Sequence, residues 1–112
     1  MSLNEYQKLA ARTINNDLEP KDQVWHALFG LAAETGEILG LYQKQYQGHE
    51  LTINRLIDEG GDVLWMLAEL FTANGISLEE VAQHNMDKLI RRYPEGFDPD
   101  KSLHRGGEND NG

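Results

Sequence analysis

Two segments with the periodicity of long amphipathic helices dominate this 112-residue chain, and each carries two carboxylates spaced three residues apart. The first segment holds Glu34 and Glu37, and the second holds Glu59 and Asp62. Residues three apart on an α-helix lie on one face, so each pair presents its carboxylates side by side. Only a short break at residues 48–51 separates the segments, which predicts two antiparallel helices joined by a tight turn.

The apolar residues of each segment predict one stripe that faces the interior, with the carboxylates on its shoulder. Counting outward from the turn places Glu37 level with Asp62. Glu59 then lies nearer the turn and Glu34 farther from it. The predicted stripes are Ala27, Leu28, Leu31, Ile38, Leu39 and Tyr42 in the first helix, and Ile53, Leu56, Ile57, Val63, Leu64, Leu67 and Phe71 in the second.

This arrangement of the four carboxylates predicts a divalent metal site. At about 1.5 Å of rise per residue, the four acids fall within a slab roughly 9 Å tall. Like charges at such distances repel one another unless a cation lies between them. Hard cations prefer oxygen ligands, and Mg²⁺ or Mn²⁺ suits such a cluster. One such pair alone would indicate only a solvated helix face.

The remaining sequence predicts an all-α, four-helix-bundle-like fold of antiparallel helices. Ser2 and Glu5 form a capping-box pattern at the first helix, and Thr52 is placed to cap the third. We expect one domain over residues 1–97, followed by a polar and flexible tail over residues 98–112. The helices are predicted at about residues 3–16, 20–47, 53–74 and 78–93.

Three glycines, Gly30, Gly36 and Gly40, interrupt the second predicted helix. Each costs up to about 1 kcal/mol relative to alanine in a helix, so their presence suggests close approach of another group. Tight helix packing is one explanation. Room for metal and phosphate beside Glu37 is the other.

The composition of this chain limits the kinds of partner that it can bind. The formal net charge is −9 and the isoelectric point is near 4.7, which disfavours nucleic acid and anionic membrane as partners. The chain has no cysteine, so disulfides and thiolate metal sites are excluded. No apolar run reaches transmembrane length and the N-terminus lacks a signal-peptide pattern, so we expect a soluble, cytoplasmic protein.

The fourth helix carries a polar row, Asn85, Lys88 and Arg92, on the shoulder of its predicted apolar stripe. Lysine and arginine provide the charge that holds phosphate oxygens, and arginine can do so bidentately. A solvated basic face near a helix C-terminus explains the same row, because the helix dipole favours cations there. Trp65 follows Asp62 by one turn and is either a core or interface residue or a residue that stacks on a base. The predicted stripe consists of Leu78, Ala82, Met86, Leu89 and Tyr93.

Three blocks of sequence together resemble the MazG-like all-α nucleoside triphosphate pyrophosphohydrolases. Gly-Leu-Ala-Ala-Glu-Thr-Gly-Glu at residues 30–37 is similar to the first metal-binding helix of that family. Asp-Glu-Gly-Gly-Asp-Val-Leu-Trp at residues 58–65 is similar to the second. Asn-Met-Asp-Lys-Leu-Ile-Arg-Arg-Tyr-Pro at residues 85–94 resembles its Asn-x-x-Lys-Leu-x-x-Arg-Tyr-Pro block. The likeness extends over roughly residues 3–97.

The resemblance implies hydrolysis of (deoxy)nucleoside triphosphates to the monophosphate and pyrophosphate, with a role in sanitising the nucleotide pool. It also implies a homodimer or homotetramer. Attack at the α- or the β-phosphorus gives the same products, and both routes stay open. The implied site residues are Glu34, Glu37, Glu59 and Asp62 for Mg²⁺ or Mn²⁺, Glu34 or Glu37 as general base, Lys44, Lys88 and Arg92 for phosphate charge, and Asn85 and Trp65 for nucleotide contact.

Two other classes of function compete with this interpretation. A carboxylate-bridged di-iron bundle requires Glu-x-x-His pairs. No histidine follows a glutamate by three residues here, and none of the four histidines has metal-ligand spacing. A non-catalytic acidic helical interaction module would carry the same carboxylates without chemistry, so metal-dependent release of pyrophosphate separates it from an enzyme.

Overall fold

The computed structural model describes residues 1–97, 99 and 100, and within these residues it contains α-helices and no β-strand. The all-α class predicted from sequence is therefore confirmed. The predicted polar tail lies outside the described residues except for residues 99 and 100. The helices are α1 (Leu3–Ala10), α2 (Pro20–Tyr46), α3 (Ile53–Ala73) and α4 (Leu78–Arg92), with a 3₁₀ turn (Ala11–Thr13) after α1.

Helix α1 begins as predicted and ends six residues earlier than predicted. The Ser2 hydroxyl accepts a hydrogen bond from the Glu5 backbone N–H at 3.0 Å and so caps its first turn. At the other end, the Thr13 hydroxyl donates to the Ala10 carbonyl at 2.7 Å, and Asn15 Oδ1 accepts from the Asp17 N–H at 3.0 Å. These side chains offer the backbone local partners that compete with the helical ones, and the chain turns away.

Helices α2 and α3 pack against each other as an antiparallel hairpin. Gly48, with φ of 102°, ends α2 in a left-handed conformation that glycine adopts without strain. The His49 N–H then donates to the Lys44 carbonyl at 2.9 Å. Thr52 begins α3 as predicted, because its hydroxyl accepts from the Arg55 N–H at 3.3 Å.

The row of α2 residues that faces the interior includes the carboxylate residue Glu34. Ala27 and Leu41 are the buried residues of this helix, and Glu34 lies between them in the same row, half-buried. The predicted apolar stripe was wrong at three positions, because apolar side chains occur on both faces of α2 and periodicity alone cannot tell which face meets α3. The exposed members are Leu28 (37 %), Leu39 (72 %) and Tyr42 (46 %).

Helix α3 departs from its predicted stripe in the same way. Ile53 and Ile57 near its start are 68 % and 64 % exposed. Its buried residues are Met66, Ala68 and Glu69. Met66 and Glu69 continue the helical row of Glu59 and Asp62, so the row of acids, and not a purely apolar row, faces α2.

Two contacts fix the register between α2 and α3. Met66 of α3 lies against Gly30 of α2, and Glu69 lies against His26 one turn farther from the connecting turn. Continuing that register toward the turn brings Glu34 level with Asp62. The prediction that Glu37 is level with Asp62 is thus wrong by about one helical turn.

Gly30 supports tight helix packing as one of the two explanations offered for the α2 glycines. A methyl group there would overlap the Met66 side chain, whereas Gly36 and Gly40 face open space.

We expect Gly30→Ala to lower the free energy of unfolding by about 1–2 kcal/mol, because strain in a packed interior outweighs the gain in helix propensity. Gly36→Ala is the matched control and should raise it by up to about 1 kcal/mol. Urea unfolding measures both, and equal stabilisation by the two substitutions would contradict this packing.

Helix α1 is held on α3 by the buried side chain of Gln7. Its Nε2 donates to Thr72 Oγ1 at 3.2 Å and to the Ile76 carbonyl at 2.9 Å. Its Oε1 accepts the Leu78 N–H at 2.7 Å, at the first residue of α4. One side chain therefore joins α1, the end of α3 and the start of α4.

The chain divides after Leu78 into two compact units, Met1–Leu78 and the residues that follow. In the second unit, Arg92 is only 6 % exposed, although it was predicted on the shoulder of α4. Met86 and Leu89, predicted in the apolar stripe, are 49 % and 36 % exposed. Among the described residues, no helix is both long enough and apolar enough to cross a membrane.

Candidate metal centre

Three carboxylates from the facing rows of α2 and α3 converge at one point of the hairpin. Glu34, Glu59 and Asp62 each offer an oxygen, and these oxygens all lie within 4.8 Å of one another. All three residues are half-buried. The structure thus brings together three of the four carboxylates that the sequence singled out.

Glu34 is surrounded by the negative charges of the neighbouring acids. Burial raises the pKa of its carboxyl above the usual range, and repulsion by Asp62 and Glu59 adds to that shift. A hydrogen bond with Glu59 and the charge of Glu37 act in the same direction. Each of these effects penalises the ionised form of Glu34 in the metal-free protein. A cation at this point would relieve the repulsion.

Glu37 lies close to this group without belonging to it. Its side chain is exposed, and it is absent from the set of converging oxygens. Its charge nevertheless contributes to the raised pKa of Glu34, which lies one turn away on the same helix. The difference follows from their positions around α2, which turn Glu34 toward α3 and leave Glu37 on the flank of the hairpin.

Helix α1 adds one residue that the sequence did not assign to the site. Burial raises the pKa of the Tyr6 phenol, and the negative charge of Asp62 raises it further. The phenol therefore lies in the electrostatic field of the carboxylates. No spacing rule links Tyr6 to Asp62, a residue 56 positions later, so periodicity alone could not assign it to the site.

The donor set fits a hard divalent cation. All three converging atoms are carboxylate oxygens, which Mg²⁺ and Mn²⁺ accept as ligands, and no sulfur or imidazole is among them. The same negative charges that raise the pKa of Glu34 would attract a cation to these oxygens. Glu34, Glu59 and Asp62 are accordingly the residues that could hold such an ion.

Two other predicted site residues of the first unit lie elsewhere on the hairpin. Lys44 is exposed and lies ten residues beyond Glu34, about 15 Å along the helix axis. Trp65 is 40 % exposed, and its indole N–H donates to the Thr13 hydroxyl at 2.8 Å. The indole therefore holds the 3₁₀ turn that follows α1, and its role in stacking on a base stays a prediction.

The predicted phosphate-binding row lies on α4, in the second unit. Asn85 is exposed, Lys88 is half-buried, and Arg92 is buried. Their predicted contacts with nucleotide stay predictions.

A carboxylate–imidazole pair farther along the hairpin was missed from the sequence. Glu69 is 5 % exposed, and its carboxylate accepts a hydrogen bond from Nδ1 of His26 at 2.6 Å. The signal was present in the spacing, because Glu69 follows Asp62 by seven residues and so continues its row. Without the register, nothing in the sequence links it to His26.

A helical hairpin with converging carboxylates between its helices defines an all-α protein with a centre suited to a divalent cation. Comparison with protein-family models gives a match to the MazG nucleotide pyrophosphohydrolase domain over residues 26–97, which is more than half of the chain. The chain belongs to that family. No curated protein and no solved structure matches it.

The family match confirms the resemblance drawn from the sequence blocks. It includes both carboxylate pairs and the polar row of α4. It begins at His26, so α1 and Tyr6 lie outside it. Membership indicates a nucleotide pyrophosphohydrolase, a class that generally uses a divalent metal.

Proposed function

We propose that this protein hydrolyses (deoxy)nucleoside triphosphates to the monophosphate and pyrophosphate, with Mg²⁺ or Mn²⁺ as cofactor. The observation that carries the proposal is the convergence of three carboxylate oxygens within 4.8 Å, inside the segment that matches the MazG family. A role in sanitising the nucleotide pool of the cytoplasm is part of the same proposal.

In this proposal Glu34, Glu59 and Asp62 hold the cation. When bound, a divalent cation neutralises phosphate charge and makes a neighbouring water molecule more acidic. The half-buried position of the three carboxylates restricts water around them and strengthens their attraction for a cation.

Glu37 is then the carboxylate left to accept a proton. Hydrolysis forms a bond between a water oxygen and phosphorus, breaks one phosphoanhydride bond, and releases a proton from the water. Of the two candidates for this step, Glu34 and Glu37, we favour Glu37 because it is exposed and outside the converging group. The alternative is that Glu37 is a fourth metal ligand. Mg²⁺ binding to Glu37→Gln, measured by calorimetry, separates the two, because only a ligand is needed for affinity.

Lys44, Lys88 and Arg92 are proposed to stabilise charge on the phosphates, and Asn85 and Trp65 to contact the nucleotide. We expect Lys88→Ala to lower kcat/KM about tenfold or more, because a charge-assisted hydrogen bond contributes about 1.5–3 kcal/mol. Lys88 is half-buried, so the helical circular dichroism should be retained. Lys21→Ala, an exposed change at the start of α2, is the control. Steady-state kinetics measure both, and unchanged kinetics in Lys88→Ala would show that this lysine does not contact the phosphates.

A homodimer or homotetramer is also part of the proposal. Large side chains on the outer face of α2 are exposed, and exposed apolar surface of this extent indicates an interaction surface. Light scattering after size-exclusion chromatography measures the assembly directly. The side chains are Trp25 (57 %), Phe29 (69 %), Leu39 (72 %) and Tyr46 (92 %).

A screen of common and modified nucleoside triphosphates, with Mg²⁺ and a pyrophosphate-specific readout, tests the activity and identifies the preferred base. We expect pyrophosphate from at least one substrate. Absence of pyrophosphate from the whole panel, with both Mg²⁺ and Mn²⁺, would favour the acidic interaction module instead.

A further inference from the structure

The pair formed by Glu69 and His26 has no part in the chemistry proposed above. Glu69 is an acid that is 5 % exposed, and its hydrogen-bond partner among the described residues is His26 Nδ1 at 2.6 Å. A buried carboxylate is costly unless a partner compensates it, and an apolar residue would fill the same position at lower cost. The imidazole itself is 59 % exposed, so the pair joins a buried anchor to an accessible ring.

The hydrogen bond determines what the exposed side of the ring offers. A carboxylate accepts hydrogen bonds, so Nδ1 is the protonated ring nitrogen and its N–H donates a hydrogen bond to Glu69. In the neutral imidazole, Nε2 then presents a lone pair, and the ring cannot rotate without losing its partner. His26 is thus an oriented hydrogen-bond acceptor on the surface of the hairpin.

His26 lies on the same helix as Glu34 and on the same flank of that helix as Glu37. At 100° per residue, His26, Gly30, Ala33 and Glu37 fall within an arc of about 60° on α2, so they share one flank of the helix. Of the two residues between His26 and Glu37 on this flank, Gly30 packs against Met66 and Ala33 is exposed. His26 precedes Glu34 by eight residues, about 12 Å along the axis, which is comparable to the span from the phosphates of a nucleotide to its nucleoside.

We propose that His26, held by Glu69, binds the nucleoside part of the substrate by accepting a hydrogen bond from an N–H or O–H of the base or sugar. Glu69 acts as a positioning residue, and His26 determines specificity. The inference rests on the proposed function, because it uses the carboxylate group as the site of the phosphates.

Two substitutions at this pair separate recognition from stability. His26→Asn keeps an N–H near the position of Nδ1 and removes the outward acceptor. Glu69→Gln keeps the size of the side chain but can donate to Nδ1, which would place the proton on the outward Nε2. His49→Asn, at an exposed histidine in the α2–α3 turn, is the matched control. Thermal melting in EDTA verifies that each variant is folded.

The measurement compares a nucleotide with inorganic tripolyphosphate, which has the phosphates and lacks the nucleoside. We expect His26→Asn to raise KM about tenfold for the preferred dNTP, the equivalent of one hydrogen bond, with the inhibition constant of tripolyphosphate unchanged. Glu69→Gln should raise KM in the same direction and change the order of preference among the four common dNTPs. His49→Asn should change neither constant.

Either of two results would overturn the inference. One is an unchanged KM in both variants. The other is an equal rise in KM and in the inhibition constant of tripolyphosphate, which would place His26 at the phosphates. Failure of the proposed function is a different result, since the parent protein would then release no pyrophosphate at all.

Discussion

Glu34→Gln is expected to reduce pyrophosphate release by about a thousandfold, because a divalent metal contributes several kcal/mol to catalysis and this substitution removes one of its three proposed ligands. Burial raises the pKa of Glu34, and the charges of all three neighbouring acids add to that shift. Steady-state kinetics measure the loss. Glu50→Gln, at an exposed acid in the α2–α3 turn, removes the same charge and should retain parental activity.

The same substitution should raise the melting temperature of the metal-free protein at neutral pH. The folded-state pKa of Glu34 lies above its unfolded value, so its contribution to stability is present at low pH and is lost as pH rises through the folded pKa. Glutamine has no such loss. The advantage of the variant should therefore be largest at neutral pH and should shrink on acidification toward the ordinary glutamate range.

Millimolar Mg²⁺ should reverse this order of stability. Binding to the native state stabilises the protein that retains affinity, which is the parent. Melting curves of both proteins in EDTA and in Mg²⁺ test this crossover. A variant that melts lower than the parent in EDTA, or an equal Mg²⁺ shift in both, would show that Glu34 does not belong to a metal-binding group.

Gln7→Ala is expected to lower the free energy of unfolding by about 3 kcal/mol, the largest effect on stability that the contacts indicate. Gln7 makes three hydrogen bonds, with Thr72, the Ile76 carbonyl and the Leu78 N–H. Its removal leaves a buried N–H at Leu78 without this acceptor, which costs more than a hydrogen bond that water can replace.

Chemical denaturation measures this loss, with Gln45→Ala as the control because Gln45 is an exposed glutamine of α2. We expect the control to differ from the parent by less than about 0.5 kcal/mol. A Gln7→Ala variant as stable as the control would mean that α1 is not anchored through this side chain.

Features set by neighbouring residues were predictable from the sequence. Ser2 and Thr52 cap their helices as their positions indicated, because an N-cap is decided within one turn. The carboxylate pairs were likewise recognisable because a spacing of three residues fixes a shared helical face. Local rules failed at the end of α1, where the side chains of Thr13 and Asn15 redirect the backbone.

Features that depend on contact between helices were not predictable in the same way. The register follows from the fit of Met66 against Gly30, which no periodicity encodes. An error of one turn there placed Glu37, and not Glu34, level with Asp62. It also hid the pairing of His26 with Glu69, since two residues 43 apart meet only when the register is known.

Product identity is the most direct test of the central claim that the converging carboxylates support metal-dependent pyrophosphohydrolysis. Phosphorus-31 NMR of a preferred dNTP incubated with the protein and Mg²⁺ resolves every phosphate species. We expect equal amounts of deoxynucleoside monophosphate and pyrophosphate, and no turnover once EDTA exceeds the metal. Deoxynucleoside diphosphate with orthophosphate as the first products, or undiminished turnover in EDTA, would contradict the claim.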